Sequence, residues 1–127
     1  MGGDIMNNDK EVIGITEVTE FLECYRFGKR MIEMNRYSTE FFGEREARDL
    51  VCEEDEAYIK ARMFEVKRFV TSLPPDERKL FLYYHFIKCE SVERCGELLH
   101  ISRRSAFRLK RRALEYAALK YKSSKNK

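Results

Sequence analysis

Ser91-Val92-Glu93-Arg94-Cys95-Gly96-Glu97-Leu98-Leu99-His100-Ile101-Ser102-Arg103-Arg104-Ser105-Ala106-Phe107-Arg108-Leu109-Lys110-Arg111-Arg112-Ala113-Leu114 is the stretch whose reading decides the fold. Ser91 suits a helix N-cap and Glu93 the first turn, where an acid meets the positive end of the helix dipole. Gly96 lets a second helix approach closely. Cys95, Leu99, Ile101, Ala106 and Leu109 then serve as apolar pins on both sides of a turn, His100-Ile101-Ser102, with Ser102 capping the helix that follows. This is the pattern of a helix-turn-helix. His100 stands where such turns often place glycine, so it must adopt a left-handed backbone or alter the turn.

At 100° per residue, the inward face of the second helix centres on Ala106, Leu109, Ala113 and Tyr116. Arg104, Arg108 and Arg111 point almost directly away, with Arg103, Phe107, Lys110 and Arg112 on the flanks. Six basic residues between Ser102 and Arg112, with no acid among them, would repel one another on a free helix, and an anion would neutralise them. The major groove of DNA admits such a helix, and its N-terminal residues reach the bases. Arg103, Arg104 and Arg108 are therefore expected at base edges, and Lys110, Arg111 and Arg112 on phosphates. Phe107 either meets a thymine methyl or packs inward with Leu114 and Tyr121, at heptad spacing. Ser102 and Ser105 complete the expected DNA-binding set.

Working outward, the formal charge of +3 over 127 residues divides unevenly at Leu73. Residues 1–72 hold 11 lysines and arginines against 16 acids, a net of −5; residues 73–127 hold 14 against 6, a net of +8. Basic charge this concentrated points to a polyanionic partner. Pro74-Pro75 marks the boundary, and Pro75-Asp76-Glu77 reads as a helix start because the first turn tolerates proline. Upstream, Ile59, Met63, Val66, Val70 and Leu73 alternate four and three apart, predicting a helix over Glu53 to Ser72. Val18, Leu22, Tyr25 and Ile32, flanked by Phe21, Met31 and Met34, predict another from about Thr16 to Tyr37 or beyond, which Gly43 could cap. No β-alternation of useful length occurs. An all-α chain is expected: a flexible tail over 1–14, acidic helices forming a hairpin or coiled-coil-like unit over 15–72, the helix-turn-helix domain over 73–119, and a basic disordered tail over 120–127.

The longest apolar run, Leu80 to Ile87, contains His85 and is too short to cross a bilayer, and Asp4 and Asp9 stand where a secretory leader would be basic. A cytoplasmic, nucleoid-associated protein is expected. His85, His100 and the cysteines Cys24, Cys52, Cys89 and Cys95 match no common zinc framework, and the cysteines read as free thiols. Glu53-Glu54-Asp55-Glu56 suits a helix start and does not converge on one point. There is no phosphate loop or nucleophile motif. The expectation is a non-enzyme with no metal and no cofactor.

Leu73-Pro74-Pro75-Asp76-Glu77-Arg78-Lys79-Leu80-Phe81-Leu82-Tyr83-Tyr84, followed by Ser91 to Leu99 and Ser105 to Leu114, resembles region four of bacterial sigma factors, without gaps from about Leu73 to Leu119. The resemblance implies a leading helix that buries Leu80, Leu82 and Tyr84. It also implies that Arg103, Arg104, Phe107 and Arg108 meet promoter bases and backbone. His100 and Phe107 depart from the family's frequent glycine and arginine, which bears on promoter preference more than on fold. Upstream of Leu73 the resemblance ends, and nothing matches the promoter-melting module. The chain is thus similar to the sigma-like regulators of phages and integrative elements of Firmicutes. That implies a transcription regulator acting on double-stranded promoter DNA, its acidic helices serving as a homodimer or RNA polymerase contact, or else completing the core. A different class is an adaptor that binds polymerase or a sigma factor without reading DNA; the outward arginines discriminate, since an adaptor has no need of Arg104 and Arg108. RNA binding is less favoured, for lack of exposed stacking aromatics.

Overall fold

The computed structural model describes residues 2–42 and 53–125, and every regular element among them is helical. In chain order these are α1 (Gly2–Phe42), α2 (Glu53–Ser72), α3 (Glu77–Leu82), which runs into a π-helical turn (Tyr83–Ile87), α4 (Val92–Leu98) and α5 (Arg103–Lys125). α1 packs on α2 and α5, while α5 also packs on α3 and α4. One buried cluster joins all of them: Val18, Phe21 and Leu22 of α1 and Val66 and Val70 of α2 meet Phe81, Leu82 and Phe86, then Ala106, Leu109, Ala113 and Ala117 of α5. The N-terminal helices thus complete the core of the basic half.

The α2 bounds match the apolar stripe, but α1 begins much earlier than expected. In place of a flexible tail over 1–14, the helix is continuous from Gly2. From Gly14 onward it is anchored: a Cβ on Gly14 would rest 3.7 Å from Ala118 Cβ, and Ile15 packs against the core. Once a turn is fixed, each further residue adds a hydrogen bond at little entropic cost. The same reason corrects the other end. The expected disordered tail from residue 120 is helical through Lys125, because the Tyr121 ring lies 4.7 Å from Phe21 and 6.0 Å from Phe69. The proposed cap at Gly43 lies outside the described residues.

Gly28 marks where α1 and α2 cross. A Cβ there would come within 2.7 Å of Met63 and 2.8 Å of Ile59. α3 starts at Glu77, two residues after the expected Pro75. Asp76, with extended backbone, is the N-cap, and its carboxylate accepts from the Arg78 and Lys79 amides. Pro75 therefore lies outside the helix. That register turns Phe81 and Leu82 into the core and leaves Leu80 45% exposed, against the implied burial of Leu80; Leu82 is buried as implied and Tyr84 half-buried. In the π-helical turn the Lys88 amide donates to the Tyr83 carbonyl, and the widened turn lets three consecutive residues, His85, Phe86 and Ile87, be buried.

α4 and α5 pack on each other across the short turn at residues 99–102. Ser91 caps α4 by accepting from the Arg94 amide, and Ser102 caps α5 by accepting from the Ser105 amide. A Cβ on Gly96 would meet Ala106 Cβ at 3.0 Å and the Ile101 carbonyl at 3.3 Å, so any larger residue would push α5 outward by a few tenths of an ångström. His100 takes the left-handed conformation, φ 59°. Its amide donates to Glu97 and the Ile101 amide to Gly96, which satisfies the last carbonyls of α4 in a Schellman arrangement. A side chain in that conformation costs about 1–2 kcal/mol. His100→Gly, less its greater unfolded-state entropy, is expected to raise stability by about 0.5–1 kcal/mol, seen as a higher urea midpoint at unchanged slope.

Candidate nucleic-acid interface

The inward face of α5 is as the periodicity predicts: Ala106, Leu109 and Ala113 are buried and Tyr116 is half-buried. Opposite them, Arg103, Arg104, Phe107, Arg108 and Arg111 line one shallow, solvent-open surface. Their electrostatic states differ. Arg103 reaches Glu93 on α4 at 3.4 Å, Arg111 pairs with Glu115 at 3.1 Å, and Arg112 reaches Glu77 on α3 at 3.5 Å. Among the described residues, Arg104 and Arg108 make no ion pair and are fully available to an external anion. They sit four residues apart, one turn, on the same face.

The remaining expected residues are dispersed. Arg112 lies to the α3 side through Glu77. Lys110 is half-buried on the other flank, where it lines a depression with Ile15, Phe107, Arg111 and Leu114. It is thus not grouped with Arg112 as a phosphate pair. Ser102 is committed to its cap, and its hydroxyl donates to Ser105 Oγ at 3.0 Å. The heptad stripe divides: Leu114 is buried and Tyr121 packs on Phe21, while Phe107 stays 45% exposed with the Arg103 guanidinium 5.8 Å from its ring. Its ring edge is open to a ligand.

Behind this surface, His85 is buried between the Phe81 and Phe86 rings, with centroids at 5.4 and 4.8 Å. Its Nδ1 lies 2.7 Å from the Glu90 carbonyl; a carbonyl can only accept, so Nδ1 carries the proton. Burial, followed by the positive charges of Arg26 and Lys110, lowers the His85 pKa below the ordinary 6.5 and outweighs that hydrogen bond. The unfolded chain then binds a proton near pH 6.5 that the folded chain resists. Stability is fully present above that value and falls as pH drops below it. Urea unfolding at pH 5.5 is expected to show a lower midpoint than at pH 7.5, with a smaller difference in His85→Gln. Burial also pushes the Cys95 thiol up to about 11, so it packs as a small apolar group.

Sequence reading passed over three cations on α1. Arg26, Lys29 and Arg30 border the same cleft as Ser91, at the start of α4. Their spacing of three and four already places them on one helix face, but nothing in the local sequence ties that face to α4.

Comparison with family models, with curated proteins and with solved structures gave no match.

Proposed function

We propose that this chain is a sequence-specific DNA-binding transcription regulator that lays α5 in the major groove of promoter DNA, in the manner of a sigma region four-like module without a promoter-melting partner. One observation carries the reading: among the described residues Arg104 and Arg108 stand exposed with no ion-pair partner, one turn apart, on the side of α5 opposite its buried Ala106, Leu109 and Ala113. Arginine offers a planar fork that matches the paired acceptors of guanine. Arg111 and Arg112, held by exposed acids that phosphates can displace, supply backbone contacts. No helix among the described residues is long and apolar enough to cross a membrane. The proposed place of action is the nucleoid.

A protein contact accompanies this role. Phe27 and Met34 of α1 are 62% and 61% exposed and seven residues apart, at heptad spacing on one face. This stripe favours a second copy, which would place two recognition helices on two half-sites, and it is equally the feature that favours the polymerase-adaptor reading.

Titration of duplexes from upstream of the chain's own operon across a salt series tests the proposal. Four to six phosphate contacts predict a log–log slope of about −4 to −5, with preference for particular sequences persisting at each salt. A slope near zero, or equal affinity for all duplexes while polymerase is still captured, would move the assignment to the adaptor.

A further inference from the structure

A cleft bordered by α1 and the start of α4 lies apart from the outward face of the recognition helix. Arg26, Lys29, Arg30 and Glu33 face His85 and Ser91 across about 390 Å³. Arg26 is occupied: it donates to the His85 carbonyl at 2.7 Å and pairs with Glu23 at 3.4 Å. Lys29 and Arg30 are exposed and, among the described residues, have no ion-pair partner. Glu33 and Glu90 also border the cleft, so it is no deep anion pocket but a rim with two free cations on one side.

Two links connect that rim to the recognition helix. Glu93, two residues after Ser91, contacts Arg103 at the beginning of α5. On the inner side, His85 is close enough to feel both Arg26 of α1 and Lys110 of α5. The cations therefore form an arc, from Arg103 and Lys110 on one flank of α5, past the start of α4, to Lys29 and Arg30. In a helix-turn-helix docked in the major groove, the first helix crosses the sugar-phosphate backbone. In that docking, which rests on the DNA-binding reading, α4 is the helix that crosses the backbone.

We infer that Lys29 and Arg30 of α1 form a second contact site for the DNA backbone, taking one or two phosphates beside the start of α4 and so extending the footprint beyond the helix-turn-helix. This inference rests on the DNA-binding reading above. The occupant is a phosphate of duplex DNA and not a free anion, because both cations are solvated, flexible and lack the buried donors that a small anion needs. Such contacts position the protein and carry no sequence information.

The test uses the full chain and its preferred duplex. Lys29→Ala/Arg30→Ala removes up to two phosphate contacts, so the magnitude of the salt slope is expected to fall by about 1 to 2. The ranking of duplex sequences and the thermal midpoint should not change. Lys67→Ala/Arg68→Ala on α2 makes the same charge change near Phe69, which meets the far end of α5 at Tyr121, and should leave the slope as it is. An unchanged slope for the α1 pair, an equal fall for the α2 pair, or an altered sequence ranking overturns this inference while leaving the DNA-binding reading in place. Failure of the unmodified chain to bind any duplex overturns both.

Discussion

Replacing Arg104 and Arg108 together by alanine is expected to weaken binding to the preferred duplex about 30-fold or more and to flatten the preference among duplexes. Each well-formed arginine contact to guanine discriminates by about 1–3 kcal/mol, so two lost contacts amount to at least about 2 kcal/mol. The fold should be untouched, since both side chains are exposed and neither makes an ion pair among the described residues. Lysine at the same positions separates the two roles of arginine: charge is retained, so the salt slope stays, but the fork is lost and with it the sequence preference. Arg112→Ala, in contrast, should lower affinity about equally for all duplexes. If the double alanine variant keeps both affinity and preference, α5 does not read DNA and the adaptor assignment replaces it.

Phe21→Ala is expected to lower the unfolding free energy by about 3–5 kcal/mol, enough to threaten folding of a small domain. Phe21 is nearly buried, and its ring packs edge-on to Phe69 of α2 at 5.6 Å and against Tyr121 of α5 at 4.7 Å. It therefore ties together the acidic and the basic halves. Circular dichroism and hydrogen exchange at α5 should report the loss together, in a single transition, because one core runs through all the helices. Independent unfolding of α1 and α2, with α5 still protected, would mean that the two halves are separate units.

Much of the candidate interface was legible because it is local. Caps at Ser91 and Ser102, the crossing at Gly96 and the inward row Ala106, Leu109 and Ala113 all depend on residues within one or two turns, where spacing alone sets direction. The strained His100 was legible for the same reason: a turn of that length has few backbone solutions. Leu80 was not. Its exposure depends on whether Glu77 or Pro75 opens the helix, and each residue of offset rotates the side chains by 100°. Nor were the ion pairs of Arg103 and Arg112 legible, since Glu93 and Glu77 come from other helices. The Glu93 pair separates Arg103, expected at base edges beside Arg104 and Arg108, from those two.

By itself the sequence determined the helical class, the caps and close crossing of α4 and α5, and the direction in which the α5 arginines point, because each follows from helical period and capping chemistry over short distances. Only the tertiary structure decided that the acidic half shares one core with the basic half, that Phe107 stays partly open while Leu114 and Tyr121 close on α1, and that Arg26, Lys29 and Arg30 border the start of α4. Those facts depend on which faces meet across some 60 to 100 residues of chain, as with Arg26 and His85 or Phe21 and Tyr121. No local spacing encodes such a meeting; burial of apolar surface selects it for the chain as a whole.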